Sequence, residues 1–169
     1  MCGIIISSGY LRKCLNKVDK NQDAKIFVSD LLRGQKTGVL ATCSNNIPHL
    51  SVVGFAFSPD LKRIFFATPF ATIKFKNIQQ NPSVELLLDN RKNIADDFSN
   101  AVACACAGRA AEVSGDSRNF AHQLMLEKHP ELVDFLRSPT CSIIEIRIFR
   151  YSLVKRFQEV TDLFMEEPE

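Results

Sequence analysis

Two hydroxyls and an ammonium fall close together in the stretch IFFATPFATIKFKNIQQNP (64–82): Thr68, Thr72 and Lys74. The run RIFFAT (63–68) reads as a strand that delivers Thr68. Thr72 then stands where a helix would begin, and Lys74 lies in its first turn. Helix N-termini carry unbonded backbone donors and a field that favours anions. Hydroxyls and an ammonium gathered there can hold a phosphate. A plainer reading uses the same residues: threonine is a common N-cap, and a lysine just inside a helix is commonly a solvated surface residue. Types and spacing leave both readings open.

Other chemistry-bearing residues are more dispersed. Six cysteines stand at 2, 14, 43, 104, 106 and 141, with no Cys-x-x-Cys pair. Zinc sites need paired ligands at spacings of about two to four residues. His49, His122 and His129 do not supply them, so no metal is expected. Cys104 and Cys106 flank Ala105 in a strand-like run, which puts both thiols on one side. They read as a redox pair or soft-metal site, or as small apolar groups where something packs closely. His49 opens the run HLSVVGFAFS (49–58) and is the best general acid or base the chain offers, or else a solvated residue beside Pro48. The N-terminal Met-Cys-Gly-Ile would expose Cys2 as an N-terminal nucleophile after methionine removal. It resembles the start of glutamine amidotransferases, but their arginine-rich and Asn-Gly-Glu signatures do not occur here.

The elements that must position these groups are mainly strands. TGVLATCS (37–44), HLSVVGFAFS (49–58), RIFFAT (63–68), SVELLLD (83–89), NAVACACAGRAAEVSG (100–115) and CSIIEIRIFRYSLVKRF (141–157) are rich in β-branched and apolar residues. Asn45, Asn46 and Pro48 mark one turn and Ser58-Pro-Asp another. Short loops make the first three strands antiparallel neighbours. Gly108 inside the fifth reads as a bulge or bend. Helices are expected over 23–34, over 71–81 ended by Asn81-Pro82, and within 116–137 with a second after Pro130. The fold class is therefore mainly β with peripheral helices: six antiparallel strands closed into a barrel, since closure removes exposed strand edges. The division is an N-terminal arm (1–18), one domain (19–160) and a C-terminal tail (161–169).

Composition narrows the function classes. The chain has 169 residues, 46% hydrophobic and 24% charged, with 13 Phe, no Trp and a net charge of +2. That balance is ordinary for a globular domain, so a nucleic-acid partner is not expected. No apolar run reaches the length of a membrane span, and no leader pattern precedes the first strand. The reading is of a cytoplasmic protein with neither membrane nor nucleic acid as partner.

The run Thr68-Pro-Phe-Ala-Thr72-Ile73-Lys74, followed by Asn81-Pro82, resembles the FMN-binding split-barrel proteins related to pyridoxamine 5′-phosphate oxidase. There the pattern is Thr-Asn-x-x-Ser-x-Lys, then Asn-Pro before the next strand. VLATCSNNIPHLSVVGFAFSPD is similar to the family's first hairpin, and GRAAEVSGD (108–116) to its Gly-x-Ala strand and following helix. The likeness spans residues 24–157. It implies a six-stranded antiparallel split barrel and a homodimer with FMN at the subunit interface. It implies that Thr68, Thr72 and Lys74 hold the FMN phosphate, that Ser51, Val52 and Val53 run along the ribityl chain and ring, and that Ile73 adds a backbone contact.

The chain also departs from the pattern. The oxidase has arginine where this chain has Ser51 and Ile73, and its C-terminal Trp-Arg and Arg-Leu substrate contacts are absent. True pyridoxamine-phosphate oxidase activity is therefore not expected. The implied function is an FMN-dependent oxidoreductase passing electrons or hydride between a nicotinamide donor and a small acceptor. Alternatives are a non-enzymatic flavin- or haem-binding carrier or sensor, and a deazaflavin-dependent reductase.

Overall fold

The structure, a computed structural model, describes residues 8–156 and 158–165, with side chains from residue 21 onward. Helix α1 (Ser8–Gly34) leads into the strands β1 (Thr37–Ser44), β2 (Ile47–Phe57) and β3 (Arg63–Pro69). Helix α2 (Ile73–Gln80) follows, then β4 (Ser83–Asp89), the short α3 (Asp97–Asn100) and β5 (Val102–Glu112). After α4 (Gly115–Lys128) and α5 (Val133–Arg137) come β6 (Cys141–Lys155) and β7 (Glu159–Phe164).

The sheet runs β3-β2-β1-β4-β5-β6-β7, and β3 also pairs with β6. Six strands thus close into an antiparallel barrel, as their spacing predicts, and β7 adds a seventh outside the ring. The β1–β2 turn is Asn45-Asn46, both at positive φ (51° and 61°). This is the two-residue hairpin geometry asparagine tolerates, whose twist matches that of the strands. Among the described residues no helix is long and apolar enough to cross a membrane.

Inside the barrel, alternate residues of each strand interlock: Leu40, Val53, Phe55, Ile64, Phe66, Leu86, Leu88, Ile144, Ile146 and Tyr151 are all nearly or fully buried. Each such side chain contributes about 1.5–3 kcal/mol by leaving water. Val28, Leu31 and Leu32 of α1 and Ile78 of α2 join this cluster. They come from the two ends of the barrel, because α1 enters at the start of β1 while α2 is bonded to its far end through Asn77 Nδ2 and Thr42 Oγ1 (3.1 Å). A second cluster lies outside the barrel wall, where Phe65, Val113 and Ile143 pack under Ala121, Met125 and Leu136 of α4 and α5. Glu145 is therefore buried, although strand alternation alone would leave its face in water. It lies within ion-pair reach of Arg147 Nε (2.7 Å) and Arg63 Nη1 (3.9 Å).

Gly108 is a bulge. Ala107 pairs with Arg150 and Gly108 with Ile148, which leaves Phe149 as the extra residue. A Cβ at Gly108 would stand 2.5 Å from both Arg147 O and Ile146 Cγ2, so only glycine fits. At this bulge the other edge of β6 changes partner. Residues up to Arg147 pair with β3, and from Arg150 onward with β7.

Two elements exceed the sequence reading. The first helix begins at Ser8, well upstream of residue 23. β7 pairs with β6 over residues that carry no clear strand pattern by themselves.

Candidate functional site

β2 and β3 are neighbours for only three pairs, Phe55–Phe66, Ala56–Phe65 and Phe57–Ile64. Earlier in β2, residues 47–54 pair with β1 alone, while the end of β3 stays with β6 through Thr68–Ser142 and Pro69–Cys141. The barrel is split here. On one side of the opening runs the free edge of β2; on the other, β3 turns into α2.

Backbone alternation decides what the free edge offers. Phe55 N bonds to Lys36 O (3.4 Å) on the β1 side. Val53 and Ser51 therefore also face β1, and the N–H and C=O groups of Val52 and Leu50 face the opening. Their side chains lie on the outer surface, 71% and 65% exposed. Ser51 and Val53 turn their side chains the opposite way, and Val53 is buried in the barrel core. Of the three β2 residues singled out in the sequence, only Val52 presents its side chain to the surface.

Across the opening, Thr68 Oγ1 and Thr72 Oγ1 are 2.9 Å apart. Thr72 Oγ1 also donates to Pro69 O at 3.0 Å, and accepts from Phe75 N at 3.4 Å as the N-cap of α2. The N–H groups of Ile73 and Lys74 have no carbonyl one turn earlier to bond. Phe70 and Phe75 meet edge to face at 5.2 Å and brace the turn. Lys74 is half-buried, and among the described residues it forms no ion pair. Ile73 is 58% exposed. The end of β3 and the start of α2 thus bring together two hydroxyls and two unbonded backbone donors, with Lys74 in the same first turn of the helix, residue types suited to a phosphate.

Three neighbours escaped the sequence reading. Asn77 locks α2 to β1 through its bond to Thr42. Ser142, fully buried, stands opposite Thr68 and donates to Glu112 Oε1 at 2.7 Å. No local pattern marks Ser142 or Glu112, because strand pairing alone brings them here.

The remaining candidates are placed as follows. His49 lies half-buried on β2, its carbonyl accepting from Thr42 Oγ1 at 3.4 Å. Cys104 and Cys106 are both buried inside the barrel. The adjoining Cys104 thiol, together with burial, pushes the Cys106 thiol well above the usual range, which keeps it protonated and a poor nucleophile. Cys2 lies outside the described residues. Among the described residues no group of three or more His, Cys, Asp or Glu side chains comes together.

Residues 25–155 match the profile of the pyridoxamine 5′-phosphate oxidase family. Among solved structures, the heme binding protein from Mycobacterium smegmatis superposes with a TM-score of 0.71 at 16% identity, covering 79% of this chain and 55% of that one. The chain therefore spans about half the length of that protein. HutZ, the heme storage protein from Vibrio cholerae, gives a TM-score of 0.64 at 18% identity, covering 76% of this chain and 91% of that one. An FAD-binding protein from Mesorhizobium loti gives 0.63 at 15% identity, covering 76% and 90%. At these identities the likeness is one of fold. No curated protein matches the chain.

Proposed function

The chain belongs to the pyridoxamine 5′-phosphate oxidase family, and from that premise we propose that it is an FMN-binding oxidoreductase. It would work as a homodimer and pass electrons or hydride between a nicotinamide donor and a small acceptor. The observation that carries this reading is the opening between the free edge of β2 and the β3–α2 turn. Its two sides offer what the two ends of a flavin nucleotide require.

At the phosphate end, the Thr68 and Thr72 hydroxyls can rotate from each other toward an anion. The N–H groups of Ile73 and Lys74 donate along the axis of α2, and the Lys74 ammonium neutralises charge. At the ring end, the backbone groups of Val52 and Leu50 offer alternating donors and acceptors to the polar edge of a flat heterocycle. Val52 and Ile73 cover its apolar surface. Ser51 and Val53 shape this edge through the backbone, which their bonds to β1 hold straight. When bound, FMN supplies the electron and hydride chemistry, while the protein orients it and excludes water. The exposed Ile47, Leu50 and Val52 give a second copy of the chain an apolar strip beside the opening.

A second reading, a haem-binding carrier or sensor, is favoured by His49, a half-buried histidine on the strand that borders the opening. The deciding experiment is the absorbance spectrum of the purified protein, followed by titration of the apoprotein with FMN, haemin and a deazaflavin. Saturable binding of one FMN per chain, with flavin bands, is the expected result. A chain that takes haemin and ignores FMN would refute it. Bleaching of bound flavin by reduced nicotinamide tests the donor.

A further inference from the structure

Three arginines stand side by side on the outside of the barrel. Arg109 of β5 lies directly opposite Arg147 of β6, and Arg147 directly opposite Arg63 of β3. Their chain neighbours Ala110, Ile146 and Ile64 point into the core, so by alternation the three arginine side chains point outward. At strand spacing the row spans about 10 Å. Beyond it on β4 stands the uncharged Ser83. Among the described residues the row's one ion-pair partner is Glu145. Like charges directly opposite on a sheet face cost stability, so the row is held together against its own repulsion.

The row is also oriented. The buried Glu145 carboxylate accepts from Arg147 Nε at 2.7 Å and lies 3.9 Å from Arg63 Nη1. Among the described residues Arg147 is engaged only through Nε, and its side chain is 74% exposed, which leaves both terminal nitrogens open. The Arg63 guanidinium lies over the rings of Phe120 and Phe65, at 4.9 and 5.6 Å from their centres. Arg109 is exposed and forms no ion pair among the described residues. Two of the three forks are therefore fixed before anything binds, one by a carboxylate behind it and one by that carboxylate and two aromatic faces.

We propose that this row binds a compact linear anion carrying two or more phosphate groups, either free or as the tail of a nucleotide. Three guanidiniums against one carboxylate set the sign of the ligand. The planar forks set its groups, since each offers paired donors that match phosphate oxygens, where lysine would offer a point charge. The backbone sets its size. At this row β6 is bonded to β5 on one side and to β3 on the other, and β5 is bonded to β4. No strand edge is open to an extended acidic peptide, so recognition rests on side chains alone. A line of forks favours several phosphates in series over a single one. The row is separate from the flavin opening: Arg63 begins β3, and Thr68 lies five residues further along it, about 17 Å away at the strand rise. The proposal stands whether or not a flavin occupies that opening.

The test is calorimetric titration with inorganic tripolyphosphate, run on the protein and on Lys74→Ala, which removes the ammonium at the α2 turn. One tripolyphosphate should bind per Lys74→Ala chain, more tightly than orthophosphate, and more weakly as salt is added. ATP and AMP separate the sources: ATP tighter than tripolyphosphate assigns the nucleotide, the reverse the free anion, and AMP should bind more weakly than either. In the same background Arg109→Gln should weaken tripolyphosphate about tenfold, equivalent to 1.4 kcal/mol. It breaks no ion pair and relieves repulsion, so the melting temperature should not fall. Arg147→Gln, on a side chain mostly in solvent, should weaken binding similarly and decides the matter if Arg109→Gln misfolds. Unchanged binding in the folded arginine variants overturns the proposal, as does orthophosphate binding as tightly as tripolyphosphate. Tripolyphosphate binding that disappears in Lys74→Ala also overturns it, by giving the anion to the α2 turn.

Discussion

Lys74→Ala separates the phosphate pocket from the merely structural reading of the same residues. Lys74 is half-buried in the first turn of α2 and forms no ion pair among the described residues. Its removal therefore breaks no salt bridge, and alanine is the better helix former. The change in folding stability should stay within about 0.5 kcal/mol, as for surface substitutions generally. Flavin affinity should behave differently. A hydrogen bond to a charged group is worth about 1.5–3 kcal/mol, which corresponds to roughly a 10- to 150-fold loss for FMN. Riboflavin, which has the ring and ribityl chain but no phosphate, should lose nothing. The assay is quenching of flavin fluorescence on titrating apoprotein, with FMN and riboflavin in parallel and thermal melts as the folding control. The FMN-to-riboflavin affinity ratio should collapse in the variant, and added salt should shrink the wild-type ratio by screening. Equal loss of both flavins would refute the phosphate assignment and point to a packing role. No loss of either would remove Lys74 from the site.

Thr72→Val should lower stability by about 2 kcal/mol, because it strips the N-cap from Phe75 N and leaves the buried Thr68 hydroxyl with only a 3.5 Å contact to Pro69 O. For a chain of this size that is a fall of about 4–8 °C in melting temperature; Thr72→Ser should recover most of it, and a Thr72→Val melt within a degree of wild type would contradict the hydroxyl pair. Gly108→Ala forces a Cβ to 2.5 Å from Arg147 O and should cost about 1–3 kcal/mol by overpacking, read as a lower urea midpoint; an unchanged midpoint would show slack at the bulge. Lys128 Nζ sits 2.6 Å from Leu32 O and 3.7 Å above the Phe55 ring, and burial lowers its pKa to about 8. The unfolded chain then holds one more proton between pH 8 and about 10.5, so the stability of wild type relative to Lys128→Met should rise across that interval. A flat difference in denaturation midpoints would show that the carbonyl and the aromatic face keep the ammonium charged.

The barrel could be read from the chain because its determinants are local. Alternation in the strands, Asn45-Asn46 at a two-residue turn, Thr72 as N-cap and Asn81-Pro82 as helix stop each act within a few residues. Gly108 was legible as a break in its strand, although the extra residue lies opposite it on β6. What escaped depends on partners distant in sequence. β7 gains strand geometry from the edge of β6 released at the Phe149 bulge. Glu145 is buried because α4 and α5 cover it, and Ser142 meets Thr68 only through the register of β6 on β3. The position of the opening lies between these extremes, and the chain does mark it. In β2 the residues at 48, 50 and 52 direct their backbone groups away from β1. Position 48 is proline, which has no N–H to give a further strand. β3, paired with β6 over its whole length, matches β2 only at 55–57 and ends at Pro69, which by that register would reach no further than position 52. Pro48 thus marks the free edge without causing the divergence, which the register and length of β3 set. The two hydroxyls stand at the end of β3, past the point where it parts from β2, and the proposed flavin site rests on that divergence.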